Sequence, residues 1–432
     1  MKALKSMTLA AFAFASAGTA YSQTTIRIVG SNGDRTATQT AISHLLASGW
    51  TFQGVGGNTS SSGTLSIATN ANFGAWNGTY AGNPVIVKVS FSGALAGISA
   101  IAGNTDQSFV LTNGTGTGAV PSPLTGAVGV THEVAKADFG FSTNFQSTSP
   151  FNGVYQSVTY NTVVEEIVGV SPLGFYASPG FPTAGANITT QLAQQLYKSG
   201  SLSLQLFTGD TGDLNKTVWA IGRNTDAGQR FGAYTEIGLG TSAAVTVWQP
   251  TITGQLTTGG IKNGGTSTSH VLWPSETVSG IFSPTGSGGY SSGALLTEPL
   301  TTVLGPNAYK GNYLDEDSQP QQLYPNATAG YYIGYVTPGD ANTRILPFGG
   351  VALKYNGVDL TNANVQNGRY TAWLYNRILK PQSGLAGLKL TFANALRDQI
   401  KNIDAPSGGG LFNDASFKVE RFTDGGIVTL KP

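Results

Sequence analysis

The 432-residue chain is long enough for two domains with separate cores, or for one large domain with insertions. Its formal net charge of +1, with no run of Lys or Arg, argues against nucleic acid and acidic membranes as partners. Cysteine is absent, which excludes thiol catalysis, disulfides and Cys-based zinc sites. The 59 glycines, with abundant Ser, Thr and Asn, predict many turns and long polar loops rather than a helical bundle.

The first 22 residues predict a secretory signal peptide. Lys2 and Lys5 precede a short apolar run and then small residues, and cleavage after Ala20 or Ser22 fits this layout. The apolar run is too short for a stable membrane span, and no later segment approaches the required length. We therefore expect a secreted chain without stable membrane insertion, located in the periplasm or outside the cell.

A unit of strand, small-residue turn and helix recurs along the chain. It begins with a strand over 25–29 and a helix over 36–46, and is repeated after the apolar strand over 84–91. A strand over 136–141 and another over 217–221 also end in polar turns. Strands that alternate with helices predict an α/β protein with mostly parallel sheets. In such sheets ligands bind at the carboxyl ends of strands, where these turns lie.

The fourth of these units, residues 219–231 (WAIGRNTDAGQRF), suggests a chemistry. A strand that enters a tight turn and opens a helix leaves several backbone N–H groups pointing in one direction, which favours an anion. Arg223 and Arg230 add guanidinium groups suited to an oxyanion. The stretch predicts an oxyanion receptor; the alternative is an ordinary strand–turn–helix connection with two solvated arginines.

Several segments, in this order, resemble the phosphate-binding subunits of ABC transporters, which are periplasmic binding proteins built of two α/β lobes with a ligand cleft between them. The resemblance covers most of the chain from Thr25 to about Ile400. The segments are IVGSNGDRTATQTAISHLL, VKVSFSGALAGISAIAG, KADFGFSTNFQ, GRNTDAGQR, GYYIGYV and KYNGVDLTNANVQNGRYTAWLY. It implies a type II periplasmic-binding-protein-like fold, with residues 1–22 as signal peptide, 23–160 plus 330–432 as the first lobe, and 161–329 as the second.

The resemblance also implies a ligand set, because the family holds phosphate with helix N-termini, short hydroxyl side chains, one Arg, and one Asp that accepts the proton of the bound anion. The matching positions, together with the second arginine of the fourth turn, are Ser31, Asn32, Gly33, Ser92, Gly93, Ser142, Thr143, Arg223, Gly228, Gln229 and Arg230.

Two departures from the family pattern affect the ligand. Ala227, Gly228 and Gln229 stand where the family has Ser-Gly-Thr, so two hydroxyl donors are missing. Thr143 stands where the family has the acceptor Asp. Either Asp34 or Asp226 replaces that acceptor, or the ligand is different.

The predicted function is that of a monomeric solute-binding protein that delivers phosphate or a similar oxyanion to an ABC transporter permease. No enzyme activity, metal or cofactor is predicted. The alternative is a phosphate-binding-like scaffold without tight phosphate affinity, used for surface adhesion, display or polysaccharide binding; the missing Asp and hydroxyl donors favour it, whereas Arg223 opposes it.

Other candidate groups do not predict catalysis. His44, His132 and His270 show no spacing typical of a metal site or a Ser–His pair. Glu165 and Glu166 are adjacent in a predicted strand, so their side chains should face opposite ways.

A final candidate is the acidic triplet Asp315, Glu316 and Asp317. It could hold calcium, but it lacks the regular ligand spacing of a calcium loop, so a solvated acidic turn is the preferred interpretation.

Overall fold

The computed structural model describes most of the chain after the predicted signal peptide. The described residues are 23–55, 59–61, 64–240, 243–258, 261–314, 319–406 and 412–432. The signal peptide and the acidic triplet at 315–317 both lie outside these ranges. Within them, no helix is long and apolar enough to span a bilayer.

An eight-stranded sheet forms the first lobe. Its spatial order is Val163–Pro172, Trp373–Pro381, Phe139–Ser142, Thr24–Val29, Asn83–Ser90, Phe73–Tyr80, Thr51–Gly54 and Thr59–Ser61. Only Thr24–Val29 pairs in parallel, with the neighbour on each side. The other pairs are antiparallel.

A five-stranded sheet forms the second lobe. Its order is Ser201–Ser203, Lys216–Ala220, Ala329–Val336, Gly174–Ala177 and Val351–Ala352. Here only Lys216–Ala220 and Ala329–Val336 are parallel.

The α/β fold class is confirmed, but the sheets are mixed rather than mostly parallel. One reason is the two-residue connection from Phe73–Tyr80 to Asn83–Ser90. Ala81 (φ 47°) and Gly82 (φ 78°) both adopt the left-handed conformation of a tight hairpin turn. Such a turn can join only antiparallel strands, because a parallel pair needs a long crossover.

Helices cover both sheets, and short ribbons complete the fold. The α-helices are Arg35–Leu45, Ala94–Ala102, Thr190–Ser199, Gln205–Thr208, Gly228–Glu236, Gly293–Thr297, Pro306–Lys310, Pro338–Arg344, Asn362–Gln366 and Gly387–Gln399. Two-stranded ribbons pair Asp106–Val110 with His132–Lys136, Gly153–Tyr155 with Val158–Tyr160, Asn187–Ile188 with Lys354–Tyr355, Leu256–Thr258 with Ile261–Asn263, Glu276–Val278 with Ile281–Ser283, Asn312–Leu314 with Pro320–Gln322, and Val419–Glu420 with Thr429–Leu430. Trp248–Thr253, Thr266–Leu272 and Val303–Leu304 form a three-stranded sheet.

The chain passes between the two sheets twice. It leaves the first sheet at Pro172 and enters the second at Gly174, and it returns to the first sheet between Ala352 and Trp373. The predicted division of the chain put these passages near 160 and 330. Strand Ala329–Val336 pairs in the second sheet, whereas the sequence-based division assigned residues 330–432 to the first lobe. Strand propensity predicts that such a segment forms a strand, but it does not determine which other strand it pairs with.

Candidate functional site

Four loops at the carboxyl ends of strands meet at one place. We call residues 30–34, 91–93, 142–145 and 221–228 the first, second, third and fourth loops, and their meeting place the four-loop junction. Gly93 N donates to Gly30 O at 3.2 Å, joining the first two. A Cβ added to Gly33 would lie 3.6 Å from Thr143 Cγ2, and one added to Gly228 would lie 2.8 Å from Asn144 Oδ1. All four predicted turns are thus brought together.

The first loop is ordered by its own side chains and contains an unusual carboxyl group. Ser31 is buried, and its Oγ accepts a hydrogen bond from Gly33 N at 3.0 Å. Asp34 is 1% exposed and accepts a hydrogen bond from Asn376 Nδ2 at 2.5 Å. Burial raises the pKa of Asp34 to about 7, against the smaller opposing effects of Asn376 and Arg377. Its Oδ2 has no partner among the described residues, so this oxygen is available to a ligand.

The backbone amides that follow the second loop are bound to a carboxylate of the fourth loop. Asp226 Oδ1 accepts hydrogen bonds from Leu95 N and Ala96 N, both at 3.1 Å, at the start of helix Ala94–Ala102. Gly93 makes room for this contact, since a Cβ there would lie 1.9 Å from Asp226 Oδ2. Burial raises the pKa of the Asp226 carboxyl, and its hydrogen bonds oppose that rise. The predicted ligand residue Ser92 is half-buried beside this arrangement.

The third loop combines one paired hydroxyl with one unpaired hydroxyl. Ser142 is fully buried, and its Oγ accepts from Asn144 N at 3.1 Å. Thr143 is 4% exposed, and its Oγ1 has no hydrogen-bond partner within the described ranges. This oxygen lies against the fourth loop, because a Cβ on Gly228 would be only 1.8 Å from it. Ser142 Oγ thus orders the loop as an acceptor and keeps its hydroxyl proton for donation, whereas the Thr143 hydroxyl has neither function engaged.

Arg223 is buried and donates only to neutral acceptors. Its Nε donates to Tyr290 O at 2.9 Å, its Nη2 to Ser291 O at 3.1 Å, and its Nη1 to Gln229 Oε1. Burial lowers the pKa of Arg223 to about 10, so the group stays charged at neutral pH. Asp340 and Asp226 favour the charged form, yet in the described part of the chain the guanidinium donates only to Tyr290 O, Ser291 O and Gln229 Oε1 and forms no ion pair. A buried positive charge is thus left without a bound counter-ion.

Arg230 has a different role. It is 5% exposed, and its Nη1 donates to Arg223 O at 3.1 Å and to Gly288 O at 3.0 Å, while Nη2 donates to Ser287 Oγ at 3.1 Å. These bonds fix the backbone that carries Arg223. The alternative prediction of two solvated arginines is therefore wrong for both, because each guanidinium is enclosed by the segment 287–291.

Helix Gly228–Glu236 begins without a side-chain cap. Ala227 precedes it in an extended conformation and contributes no side-chain hydrogen bond. Where the chain is described, the amides of Gly228 and Gln229 donate to no other group, whereas Arg230 N donates to Ala227 O at 2.9 Å. The first amides of an α-helix carry partial positive charge and need an acceptor. This end of the junction can therefore accept an anion.

Unpaired polar atoms are concentrated at the junction. Buried native polar atoms are nearly always hydrogen-bonded, to protein or to ordered water. Here the side-chain atoms without a partner in the described residues of the first, third and fourth loops are Asn32 Oδ1, Asp34 Oδ2, Thr143 Oγ1, Asn144 Oδ1, Asn224 Oδ1 and Thr225 Oγ1. Such a concentration is typical of a place where a polar ligand is bound.

The sequence did not predict two residues beside the junction, Asn376 and Arg377. Asn376 positions the Asp34 carboxyl and accepts from Ser171 Oγ at 2.8 Å. Arg377 is 1% exposed, stacks 3.3 Å from the ring centre of Phe145 in the third loop, and lies 3.5 Å from Glu165. The available signal was a pair of polar residues inside the apolar strand Trp373–Pro381, where every side chain up to Lys380 is buried.

The three histidines lie in separate surroundings. His44 contacts Asp404 at 2.9 Å, and His132 contacts Thr131 Oγ1 at 3.0 Å. His270 packs 4.2 Å from the ring centre of Trp219, and burial lowers its pKa to about 3, so it is neutral. No cluster of three or more metal-ligating side chains occurs in the ranges that the structure describes.

Comparison with known proteins gives fold similarities only. No protein-family model matches the chain, and no curated protein matches it. It is similar to an ABC-type phosphate transport receptor from Vibrio cholerae, with 12% identity, a TM-score of 0.43, and coverage of 90% of this chain and 99% of that one. A putative phosphate ABC transporter substrate-binding protein with bound phosphate from Clostridium perfringens shows 11% identity, a TM-score of 0.41, and coverage of 90% and 99%. PstS from Borrelia burgdorferi shows 11% identity, a TM-score of 0.38, and the same coverage of 90% and 99%. These solved proteins are of the kind that the sequence motifs resemble.

Proposed function

We propose that the protein binds a tetrahedral oxyanion, most simply inorganic phosphate, at the four-loop junction. The uncapped amides of helix Gly228–Glu236 and the hydroxyl of Thr143 donate to the anion. Arg223 supplies the balancing positive charge from behind Gln229. The observation that carries the proposal is the meeting, in one place, of an uncapped helix N-terminus, a buried arginine that forms no ion pair among the described residues, and unpaired buried polar atoms.

Asp34 supplies the acceptor that the resemblance left unassigned. Of the two candidates, Asp226 has both carboxylate oxygens engaged, by Leu95 N, Ala96 N and Ser279 Oγ. Asp34 has Oδ2 unpaired and is held through Oδ1 by Asn376. When ionised, it accepts a hydrogen bond from the O–H group of a phosphate monohydrogen ion, and sulfate has no such group at neutral pH. Asp34 therefore favours phosphate over sulfate above pH 7, the region of its raised pKa.

Delivery to a membrane transporter is the physiological role that we propose for this binding. It is supported by the sequence resemblance and by the predicted signal peptide, from which we expect the mature protein in the periplasm or outside the cell. The two passages of the chain between the sheets, at 172–174 and between 352 and 373, are where the lobes can hinge around the anion. The partner is then an ABC transporter permease.

Calorimetric titration of the purified mature protein with phosphate, and separately with sulfate, tests the proposal. We expect phosphate binding in wild type that is lost in Arg223→Ala, because a buried charge-assisted anchor contributes roughly two or more orders of magnitude in affinity. Arg369→Ala is the matched control, since it removes one positive charge from an exposed site. Circular dichroism and thermal unfolding show whether each variant is folded.

Absence of heat with both anions, from folded wild type, would exclude phosphate binding and favour a second function. That function is a two-lobe scaffold for adhesion, display or polysaccharide contact. One observation favours it: the amides at the start of helix Ala94–Ala102 are already bound to Asp226. Glycan-array binding by the same protein, without a response to phosphate, would then identify the ligand class.

A further inference from the structure

An internal carboxylate takes the place of an anion at one of the helix N-termini of the junction, that of helix Ala94–Ala102. Helix Ala94–Ala102 has nine residues and no cap from its own preceding residues. Its Leu95 and Ala96 amides donate to Asp226 Oδ1 at 3.1 Å, which is how a helix N-terminus binds an external oxyanion. The hydroxyl of Ser279 donates to Asp226 Oδ2 at 2.6 Å, so the carboxylate is held on both sides.

The residues that hold Asp226 come from distant parts of the chain. The helix follows a strand of the first sheet, whereas Asp226 follows Lys216–Ala220 of the second, so the carboxylate connects the two lobes. Ser279 sits at the tip of the hairpin between Glu276–Val278 and Ile281–Ser283. Its φ of 52° is left-handed, which is uncommon for a residue other than glycine, and this conformation accompanies the hydrogen bond from its hydroxyl to Asp226.

The contact between Asp226 and the second loop depends on the absence of a side chain at Gly93. A Cβ at this position would lie 1.9 to 2.2 Å from the three carboxyl atoms of Asp226. Only glycine leaves the space that the carboxylate fills. Gly93 and Ser92 are also the residues by which the resemblance would place phosphate at this loop, so the carboxylate lies where an external anion would approach the same helix N-terminus.

We infer that Asp226 is an internal competitor of the oxyanion, and that it determines how tightly the junction binds its ligand; this inference rests on the proposed function. An incoming anion must displace the carboxylate from Leu95 N and Ala96 N, or bind without these amides. In both cases the negative charge of Asp226 opposes the anion, while Arg223 attracts both. A ligand that replaces Asp226 would also break the connection that this side chain makes between the lobes.

The test is phosphate titration of wild type against variants that release the helix N-terminus. Asp226→Ser removes the charge and opens space at the amides, and we expect roughly 10- to 100-fold tighter phosphate binding. Asp226→Asn keeps the volume while removing the charge, and is expected to bind more tightly than wild type by a smaller factor. Ser279→Ala releases one side of the carboxylate and should give the smallest gain.

The control is Asp210→Asn. Asp210 Oδ1 accepts from Gly212 N at 2.8 Å on an exposed turn, so this variant also neutralises a carboxylate that binds a backbone amide. Its phosphate affinity should equal that of wild type. Thermal unfolding confirms that each variant is folded. If Asp226→Ser does not fold, the phosphate affinity of Asp226→Asn is the test of the inference.

The outcomes separate the inference from the proposed function. Phosphate binding by wild type that is equal or weaker in both Asp226 variants would overturn the inference alone. Binding that is measurable only in the Asp226 variants would support it, and would show that the carboxylate blocks the site in wild type. No binding by any folded variant would overturn both.

Discussion

The two halves of the four-loop junction contain the same kind of helix N-terminus in opposite states. In the half around Gly93, which we call the paired half, the first amides of helix Ala94–Ala102 are bound to Asp226. In the other, the unpaired half, helix Gly228–Glu236 has no side-chain cap, and the oxygens Asp34 Oδ2 and Thr143 Oγ1 lack partners in the described chain.

This difference separates groups that stabilise the fold from groups that remain available to a ligand. A paired donor and acceptor contribute to the stability of the empty protein, whereas buried unpaired groups reduce it until a ligand arrives. Binding sites commonly retain such locally unfavourable groups. The paired half therefore connects the lobes, and the unpaired half is the place where binding energy can be gained.

The largest expected effect is on the pH dependence of stability, and it concerns Asp34, the carboxyl group of the unpaired half. The folded-state pKa of Asp34, about 7, lies above its ordinary value of 3.8, so the folded protein binds the extra proton and loses stability as the pH rises between these values. Asn cannot titrate, so Asp34→Asn should abolish this loss. In wild type the loss amounts to up to about 4 kcal/mol of the free energy of unfolding between pH 4 and pH 8. Urea unfolding at several pH values measures it. Asp359→Asn, at an exposed carboxylate, is the control and should leave the slope of the free energy of unfolding against pH as in wild type. If Asp34→Asn also has the wild-type slope, Asp34 has an ordinary pKa.

An intermediate effect tests whether the paired half is filled by Asp226. Gly93→Ala places a methyl group 1.9 Å from a carboxylate held by three hydrogen bonds, and should lower the free energy of unfolding by about 2 kcal/mol. In an Asp226→Ala background the same substitution should cost little, because the space is then empty. A double-mutant cycle by chemical denaturation measures this coupling. Gly339→Ala is the control, since no atom lies within 4 Å of a Cβ there; additive costs for Gly93 and Asp226 would contradict the contact.

The smallest effect on stability is expected at Thr143. Thr143→Val replaces an unpaired hydroxyl with a methyl of similar shape, so the free energy of unfolding should change by less than about 1 kcal/mol. Phosphate affinity should nevertheless fall about 10-fold, because a donor to the anion is lost.

Thr217→Val is the matched control for Thr143. Thr217 Oγ1 donates to Tyr309 O at 2.8 Å and accepts from Trp219 Nε1 at 2.9 Å, so this variant should lose stability and keep its affinity. The comparison between the two halves fails if Thr143→Val is clearly destabilised while its affinity is unchanged.

The candidate site shows how far the sequence could lead. The strand–turn–helix pattern predicted four loops at strand ends, and these loops do meet. Asp34 and Asp226 were both candidate acceptors in the sequence, but only their hydrogen bonds separate them: one has a free oxygen and the other has none. Asn376 lies 342 residues from Asp34, too far along the chain for local spacing to reveal the contact.

The sequence by itself determined the α/β class, the polar turns after strands, and the presence of Arg223 in a turn that opens a helix. These features depend on local periodicity and turn chemistry, which neighbouring residues set. The tertiary structure decided that the sheets are mixed, that Arg223 is enclosed by neutral carbonyls, and that Asp226 caps a helix of the other lobe. Strand partners, burial and hydrogen-bond satisfaction arise between segments far apart in the chain, so they exist only once the two lobes have packed.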